Sequence, residues 1–185
     1  IDASFIAADA GKPEDIQRLA DEALAQLGHI DILVNNAGAS WGAPAQEHPL
    51  EAWDKVMNLN VRGYFLLSQA VAKASMIPRK QGRIINVASI AGLGGNPPFM
   101  QTIAYNTSKG AVVNFTRGLA CEWGHLGIRV NAIAPGFFPS DMTDGFFTAV
   151  PGLKEQMIEG IPAERLGSEA DIGGAVVFLA SRAGA

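Results

Sequence analysis

The chain has one cysteine in 185 residues, three histidines, two tyrosines and no apolar run approaching bilayer length. Each scarcity removes a class of function. Cys121 alone cannot form an internal disulfide, so no disulfide framework holds the fold, and a lone thiol accords with a reducing cytoplasm. His29, His48 and His125 are scattered, with no second ligand nearby at metal-binding spacing, so no protein metal site is read. A net charge of −4 gives no electrostatic reason to expect nucleic acid or an anionic membrane surface as partner. A membrane-spanning helix needs about 20 consecutive apolar residues, and no stretch supplies them.

What is plentiful is apolar residues, 48% of the chain, enough to bury a real core at the size of a single domain, read here as residues 1–185. They fall into two alternating patterns. Strand-like runs are "SFIAAD" (4–9), "IDILVNN" (30–36), "GRIINVAS" (82–89) and "GIRVNAIA" (127–134). Between them lie helical patterns. Residues 13–27 form one, with Pro13 suited to its first turn and Gly28 to its exit. A longer one follows Pro49 to about Ala74, and a third carries Tyr105, Ala111, Val112, Phe115 and Leu119. A Phe-rich irregular segment with short helical turns follows Pro135-Gly136. A last helix starts at Ser168, where "SEAD" forms a capping box with Asp171. Alternating strands and helices of these lengths predict an α/β fold, a parallel sheet covered by helices on both faces.

In such folds ligands bind beyond the C-terminal ends of the strands. That rule singles out Asn35-Asn36-Ala37-Gly38 after one strand, Ala88-Ser89 after the next, and Pro135-Gly136 after the last. Taken singly, each reads equally well as an Asx turn, a structural turn serine or a strand terminator. Tyr105 enters the helix directly after the Ser89 strand, with Lys109 four residues on. Residues i and i+4 share a helix face, so "YNTSK" (105–109) presents a phenol and an ammonium to one pocket.

These pieces, in order, are Asp9, "NNAG" (35–38), Asn60 in "NLNVRG", Ser89, "YNTSK" and "PG" (135–136). With them the chain resembles the short-chain dehydrogenase/reductase family over essentially its whole length. The resemblance implies a doubly wound, Rossmann-like domain and an NAD- or NADP-dependent enzyme that interconverts a secondary alcohol and a ketone. It implies that Tyr105 exchanges a proton with the substrate oxygen and that Ser89 hydrogen-bonds the same oxygen. Lys109 would bind the nicotinamide ribose and lower the Tyr105 pKa. The backbone carbonyl of Asn60 would hold a water linking Lys109 to solvent. Asn36, Ala37 and Gly38 would pack along the adenosine, Asp9 would reach the adenine, and Pro135, Gly136 and Ser140 would flank the carboxamide. Ser140 stands where relatives often carry a threonine. The family's long helices, here 49–74 and 104–124, commonly build a dimer or tetramer interface, which implies a homo-oligomer.

The energetics of that role are demanding. A free tyrosine titrates near 10, and bringing it to about 7 takes about 4 kcal/mol of differential stabilisation. One nearby cation supplies roughly one to three pKa units of the three or so required, so Lys109 alone is marginal and the positive charge of an oxidised nicotinamide would help. Asn60 is also out of place as a mid-helix asparagine with Gly63 close behind, which predicts a local distortion of the helix there.

The chain departs from the family pattern at its ends. No Gly-rich phosphate turn precedes residue 9, and the family order places two further strand–helix units, about 60–70 residues, ahead of Ile1. The family's last strand would follow residue 182. The expected domain is therefore incomplete at both ends, and the strand at 4–9 would lack its neighbours. The signature that separates NAD from NADP belongs to the family's second strand. Trp41, Phe137, Phe138, Met142, Phe146 and Phe147 suggest an apolar pocket. The substrate reads as a polyol or sugar acid, or alternatively a 3-oxoacyl thioester. A different class of reading is a non-catalytic binding or assembly subunit on the same fold.

Overall fold

A computed structural model describes residues 2–149 and 151–184, except the side chains of residues 141, 142, 146 and 149. Met142 and Phe146, two of the suggested pocket residues, therefore lie outside the described side chains. The chain divides into two compact units, Ile1–Ile133 and Ala134–Ala185.

The first unit carries a three-stranded parallel sheet of β1 (Ile32–Asn35), β2 (Gly82–Val87) and β3 (Ile128–Ile133), in that spatial order. Ile32 pairs with Arg83 and Asn35 with Asn86, and Gly82 pairs with Ile128 and Val87 with Ile133. The three strands therefore end together, at Asn35, Val87 and Ile133. Parallel neighbours require crossover connections, and helices provide them. The helix α1 (Pro13–Leu27) precedes β1, and Gly28 closes it at φ 73°, a left-handed conformation glycine adopts without a Cβ penalty. A long helical stretch joins β1 to β2: α2 (Leu50–Met57), a π-helical segment (Asn58–Arg62), α3 (Gly63–Val71), a second π segment (Ala72–Met76) and α4 (Ile77–Arg79). The helix α5 (Ile103–Trp123) joins β2 to β3.

One face of this sheet and its helices share a single core. Ile84, Ile128 and Val130 from the strands meet Ala20 of α1, Val71 of α3, Ala72 and Met76 of the second π segment and Leu119 of α5. Val71, Met76 and Ile84 are 0–1% exposed. The β-branched strand residues fit the half-buried pleat, and the helices bury the apolar stripes that their spacing had announced. On the opposite face Ile32 and Val34 remain 43% and 40% exposed. This is the Rossmann-like α/β architecture that the alternating pattern predicts.

One predicted strand is absent. Residues 4–9 pair with no strand, and Phe5 is 91% exposed. A strand exists only while a neighbour satisfies its backbone groups, and no described segment runs alongside this one.

The second unit is helical: α6 (Asp141–Ala149), α7 (Leu153–Glu159) and α8 (Glu169–Ala180). The predicted capping box is formed. The Asp171 carboxylate accepts from the Ser168 backbone N–H and hydroxyl, both at 2.7 Å, and is gripped by Arg165. No helix among the described residues is long and apolar enough to cross a membrane.

Candidate active site

The shared strand ends place three loops on one edge of the sheet. A buried polar network holds that edge from beneath. Asn35 Nδ2 donates to Asn86 Oδ1 at 2.8 Å and to Ser68 Oγ at 2.9 Å. Asn86 Nδ2 in turn donates to Thr116 Oγ1 at 2.9 Å, whose hydroxyl donates to the Val112 carbonyl. All four side chains are buried. Because each is paired, the network ties β1, β2, α3 and α5 together without an orphaned buried group. Asn35, the first residue of "NNAG", is thus a framework residue. Asn36, Ala37 and Gly38 are exposed at the strand's exit, open to a ligand.

Ser89 lies two residues beyond β2 and caps a short 3₁₀ turn (Ile90–Gly92), its Oγ accepting from the Ala91 N–H at 3.1 Å. That turn lies directly on α5. A Cβ built on Gly92 would stand 2.5 Å from the Lys109 carbonyl carbon, so only glycine permits this approach. The docking brings the Ser89 side chain close enough to Tyr105 to lower the phenol's pKa.

Lys109 is 3% exposed and donates from Nζ to the Val87 carbonyl at 2.7 Å. The same Nζ lies 5.5 Å from the ring centre of Tyr64 and 5.6 Å from that of Tyr105. Tyr64, on the first turn of α3, donates its hydroxyl to the same Val87 carbonyl at 3.2 Å. Gly38 belongs to this cluster too, since a Cβ there would lie 3.6 Å from Lys109 Nζ and 3.5 Å from Asn60 Oδ1.

Asn60 sits in the middle of the π-helical segment Asn58–Arg62, the local distortion predicted from its sequence. It is fully buried and its amide is fully engaged. Oδ1 accepts from the Ala39 N–H at 2.8 Å, while Nδ2 donates to the Ala39 carbonyl and to Ser108 Oγ, each at 2.9 Å. Asn60 therefore clamps the loop after "NNAG" to α5, one residue from Lys109. Such π turns recur at functional sites because they displace one backbone carbonyl from the regular ladder.

The electrostatics follow from burial. Removal from water pushes Lys109 down to about 8 from its usual 10.5. Burial raises Tyr105, with the Ser89 hydrogen bond acting in the opposite direction, and raises Tyr64 further. In this state Tyr105 is a neutral phenol, able to donate a proton and poorly able to accept one.

Two further contacts shape the mouth of the site. The loop after β1 meets the loop after β2 through an Ala43–Thr102 bridge, with the Ala43 N–H donating to the Gln101 carbonyl. Asn96, Thr102 and Asn106 form a closed triangle of 3.0 Å bonds that fastens the Gly- and Pro-rich loop to α5 beside Tyr105. Trp41, Leu93 and Phe99 are exposed around these loops.

The remaining residues of interest are placed elsewhere. Asp9 is exposed, its Oδ1 accepting from the Gly11 N–H at 2.9 Å, and the adjacent Ala10 carbonyl rests on Gly63, where a Cβ would come within 2.5 Å. Pro135, Gly136 and Ser140 belong to the second unit. There Ser140 pairs with Thr143 at the start of α6, and Phe138 packs on Gly167. Tyr64 and Ser108 escaped the sequence reading. Their signal was available: Tyr64 lies one helical turn beyond Asn60, and Ser108 is inside "YNTSK".

Comparison with known proteins shows the family. A family model described as enoyl-(acyl carrier protein) reductase matches residues 1–185. The 2-dehydro-3-deoxy-D-gluconate 5-dehydrogenase of Escherichia coli K12 is 41% identical over 178 residues, 96% of this chain and 69% of that protein. A 3-oxoacyl-acyl-carrier-protein reductase of Staphylococcus epidermidis is 37% identical over 181 residues, 98% of this chain and 71% of that protein. A crystal structure of a gluconate 5-dehydrogenase from Burkholderia cenocepacia, in complex with NADP and tartrate, superposes with a TM-score of 0.86. It is 34% identical, over 94% of this chain and 66% of that one. The chain thus spans about two thirds of the length of these relatives, and by its matched length, its fold and its ordered motifs it belongs to the short-chain dehydrogenase/reductase family.

Proposed function

We propose that the protein is an NAD(P)-dependent oxidoreductase that interconverts a secondary alcohol and a ketone, with a sugar acid or polyol as substrate class. The observation that carries this reading is the convergence of Ser89, Tyr105 and Lys109 at the C-terminal edge of the sheet, with Asn60 clamped beside them. A structural subunit has no use for a lysine held almost dry beside a tyrosine.

The nicotinamide cofactor supplies or accepts the hydride. The residues present suit it: Asn36–Gly38 leave an open strand exit, and Gly38 lies beside Lys109 Nζ and Asn60 Oδ1. Asn36, Ala37 and Gly38 would hold the adenosine side, Asp9 the adenine, Lys109 the ribose, and Pro135, Gly136 and Ser140 the carboxamide. For ketone reduction, Tyr105 donates its phenolic proton to the substrate oxygen while Ser89 steadies that oxygen. Lys109, positively charged near neutral pH, stabilises the phenolate left behind. Asn60 keeps the helix distorted at the point where a carbonyl can hold a relay water. In alcohol oxidation the same residues act in reverse.

The sugar-acid reading draws on the relatives' names, the Escherichia coli dehydrogenase and the Burkholderia cenocepacia enzyme. A 3-oxoacyl thioester is the second reading, favoured by the Staphylococcus epidermidis reductase and the apolar residues at the mouth. A homodimer or homotetramer joined through the helical stretch 49–74 and α5 belongs to the same proposal. So does a cytoplasmic location, where a lone thiol such as Cys121 stays reduced.

Tyr105→Phe tests the mechanism. It removes the exchangeable proton and keeps the ring, so turnover of gluconate-type and 3-oxoacyl substrates should fall by about 10²–10⁴-fold. Turnover at the wild-type rate would sink the proposed chemistry.

A further inference from the structure

Tyr64 is a large aromatic residue that the proposed reaction does not use, yet it shares its only hydrogen-bond acceptor with Lys109. We infer that Tyr64 is a positioning residue for Lys109: its ring face and the Val87 carbonyl together fix the ammonium beneath Tyr105. The inference rests on the functional reading above, in which Lys109 serves Tyr105.

The geometry is specific. Lys109 Nζ stands between two rings, at 5.5 Å and 5.6 Å from their centres, within the range of a cation–π attraction. Tyr64 is 2% exposed, so this attraction acts where water screens it little. The Val87 carbonyl has two lone pairs. The Tyr64 hydroxyl takes one and Lys109 the other, and the shared acceptor orients both donors.

The choice of an aromatic partner has a chemical consequence. A carboxylate beside Lys109 would hold the cation but would also cancel its charge as felt by Tyr105. A ring face stabilises the ammonium through its quadrupole and consumes none of its three N–H donors. After the bond to Val87, two donors remain for a ribose and for the phenol side. The groups facing Lys109 are the Val87 carbonyl from β2, Tyr64 from α3 and Tyr105 from α5. Asn60 Oδ1 and Gly38 lie close by. None is acidic in the ordinary range, and burial pushes the lysine's titration down. Tyr64 itself stays neutral, since burial and the neighbouring Tyr105 both raise its pKa.

The test compares the wild-type protein, Tyr64→Phe, and a tetrafluorinated phenylalanine at position 64, which keeps the ring's shape and empties its face of negative potential. Lys109 is followed directly, by ¹³C/¹⁵N-lysine labelling and NMR titration of the intact, cofactor-free protein, with Lys109→Arg identifying the resonance. The Phe variant should titrate close to wild type, because it keeps the ring face. The fluorinated variant should lower the lysine's pKa by a further amount worth roughly three- to tenfold in its protonation equilibrium. The basic limb of the kcat pH profile should shift in the same direction, with KM for the alcohol little changed. Titration and pH profile identical between the Phe and fluorinated variants would overturn the inference, leaving Tyr64 as core packing. Both variants keep the ring volume and so are expected to fold, and circular dichroism checks this. Failure of the functional reading is separable: it would appear as full turnover in Tyr105→Phe, which leaves the Lys109 titration readable.

Discussion

At the scale of single residues, Lys109 sets function against stability. A lysine whose folded pKa lies near 8 instead of 10.5 resists carrying its charge in the fold. The penalty is of order 3 kcal/mol at most, less what the Val87 bond and the two rings return. Its sign with pH is fixed. Below about 8 the charge is buried and the penalty is complete. Between about 8 and 10.5 the unfolded chain binds more protons than the folded one, so stability contributed at this site rises with pH. Lys109→Met should therefore abolish activity yet unfold at higher denaturant concentration than wild type at pH 7. The gap should narrow by pH 10, and a gap independent of pH would show that the ammonium is not buried at a cost. Tyr105, Lys109 and Ser89 were legible in the sequence because their chemistry needs those residue types at a fixed helical spacing or strand end. Tyr64 was not, because an aromatic residue in an apolar stripe reads as core. Only the third dimension shows its hydroxyl and Lys109 meeting on one carbonyl.

At the scale of elements, the site depends on two tight junctions, one of backbone on backbone and one of side chain on backbone. One is the Ser89–Gly92 turn lying on α5, and the other is Asn60 clasping Ala39 across the π segment. Asn60→Ala removes three hydrogen bonds and strands the Ala39 N–H and carbonyl, for a loss of about 2–4 kcal/mol. Gly92→Ala forces the turn away from Lys109, with an overpacking cost of about 1–3 kcal/mol. The two should separate in kinetics. Displacing the turn moves Ser89 from Tyr105, so Gly92→Ala lowers kcat more than it raises KM for cofactor. Asn60→Ala loosens the loop after "NNAG" and should raise cofactor KM as well. Equal effects on both constants in both variants would contradict this division. The local distortion at Asn60 was foreseen because asparagine is a poor mid-helix residue, whereas residues 4–9, read as a strand that would lack its neighbours, form none. Alternating apolar residues state a preference for extended backbone, but only a neighbouring strand can satisfy it.

At the scale of the whole molecule, the helices that build the site also carry exposed apolar groups. Phe65 on α3 is 43% exposed and packs edge-on against Phe115 of α5, their ring centres 6.5 Å apart. Leu50, at the start of α2, is 68% exposed. The core side of these helices was legible from their periodicity. The outward-facing Phe65 was not, because a sequence does not say which of two apolar stripes faces the sheet. A phenylalanine left half in water forgoes transfer free energy of about 25 cal/mol for each exposed Å², and a second copy of the chain would recover it. Phe65→Asp tests this with little harm to the fold, since the substituted position already faces solvent. It should lower the mass in light scattering from a dimer or tetramer toward the monomer. Because Asn60 and Tyr64 lie on the turn just before Phe65, and α5 carries both Phe115 and Lys109, loss of the partner should also loosen the site. Activity should then fall as the protein is diluted through the dissociation range and recover on concentration. A Phe65→Asp protein that keeps its wild-type mass would place the subunit interface elsewhere.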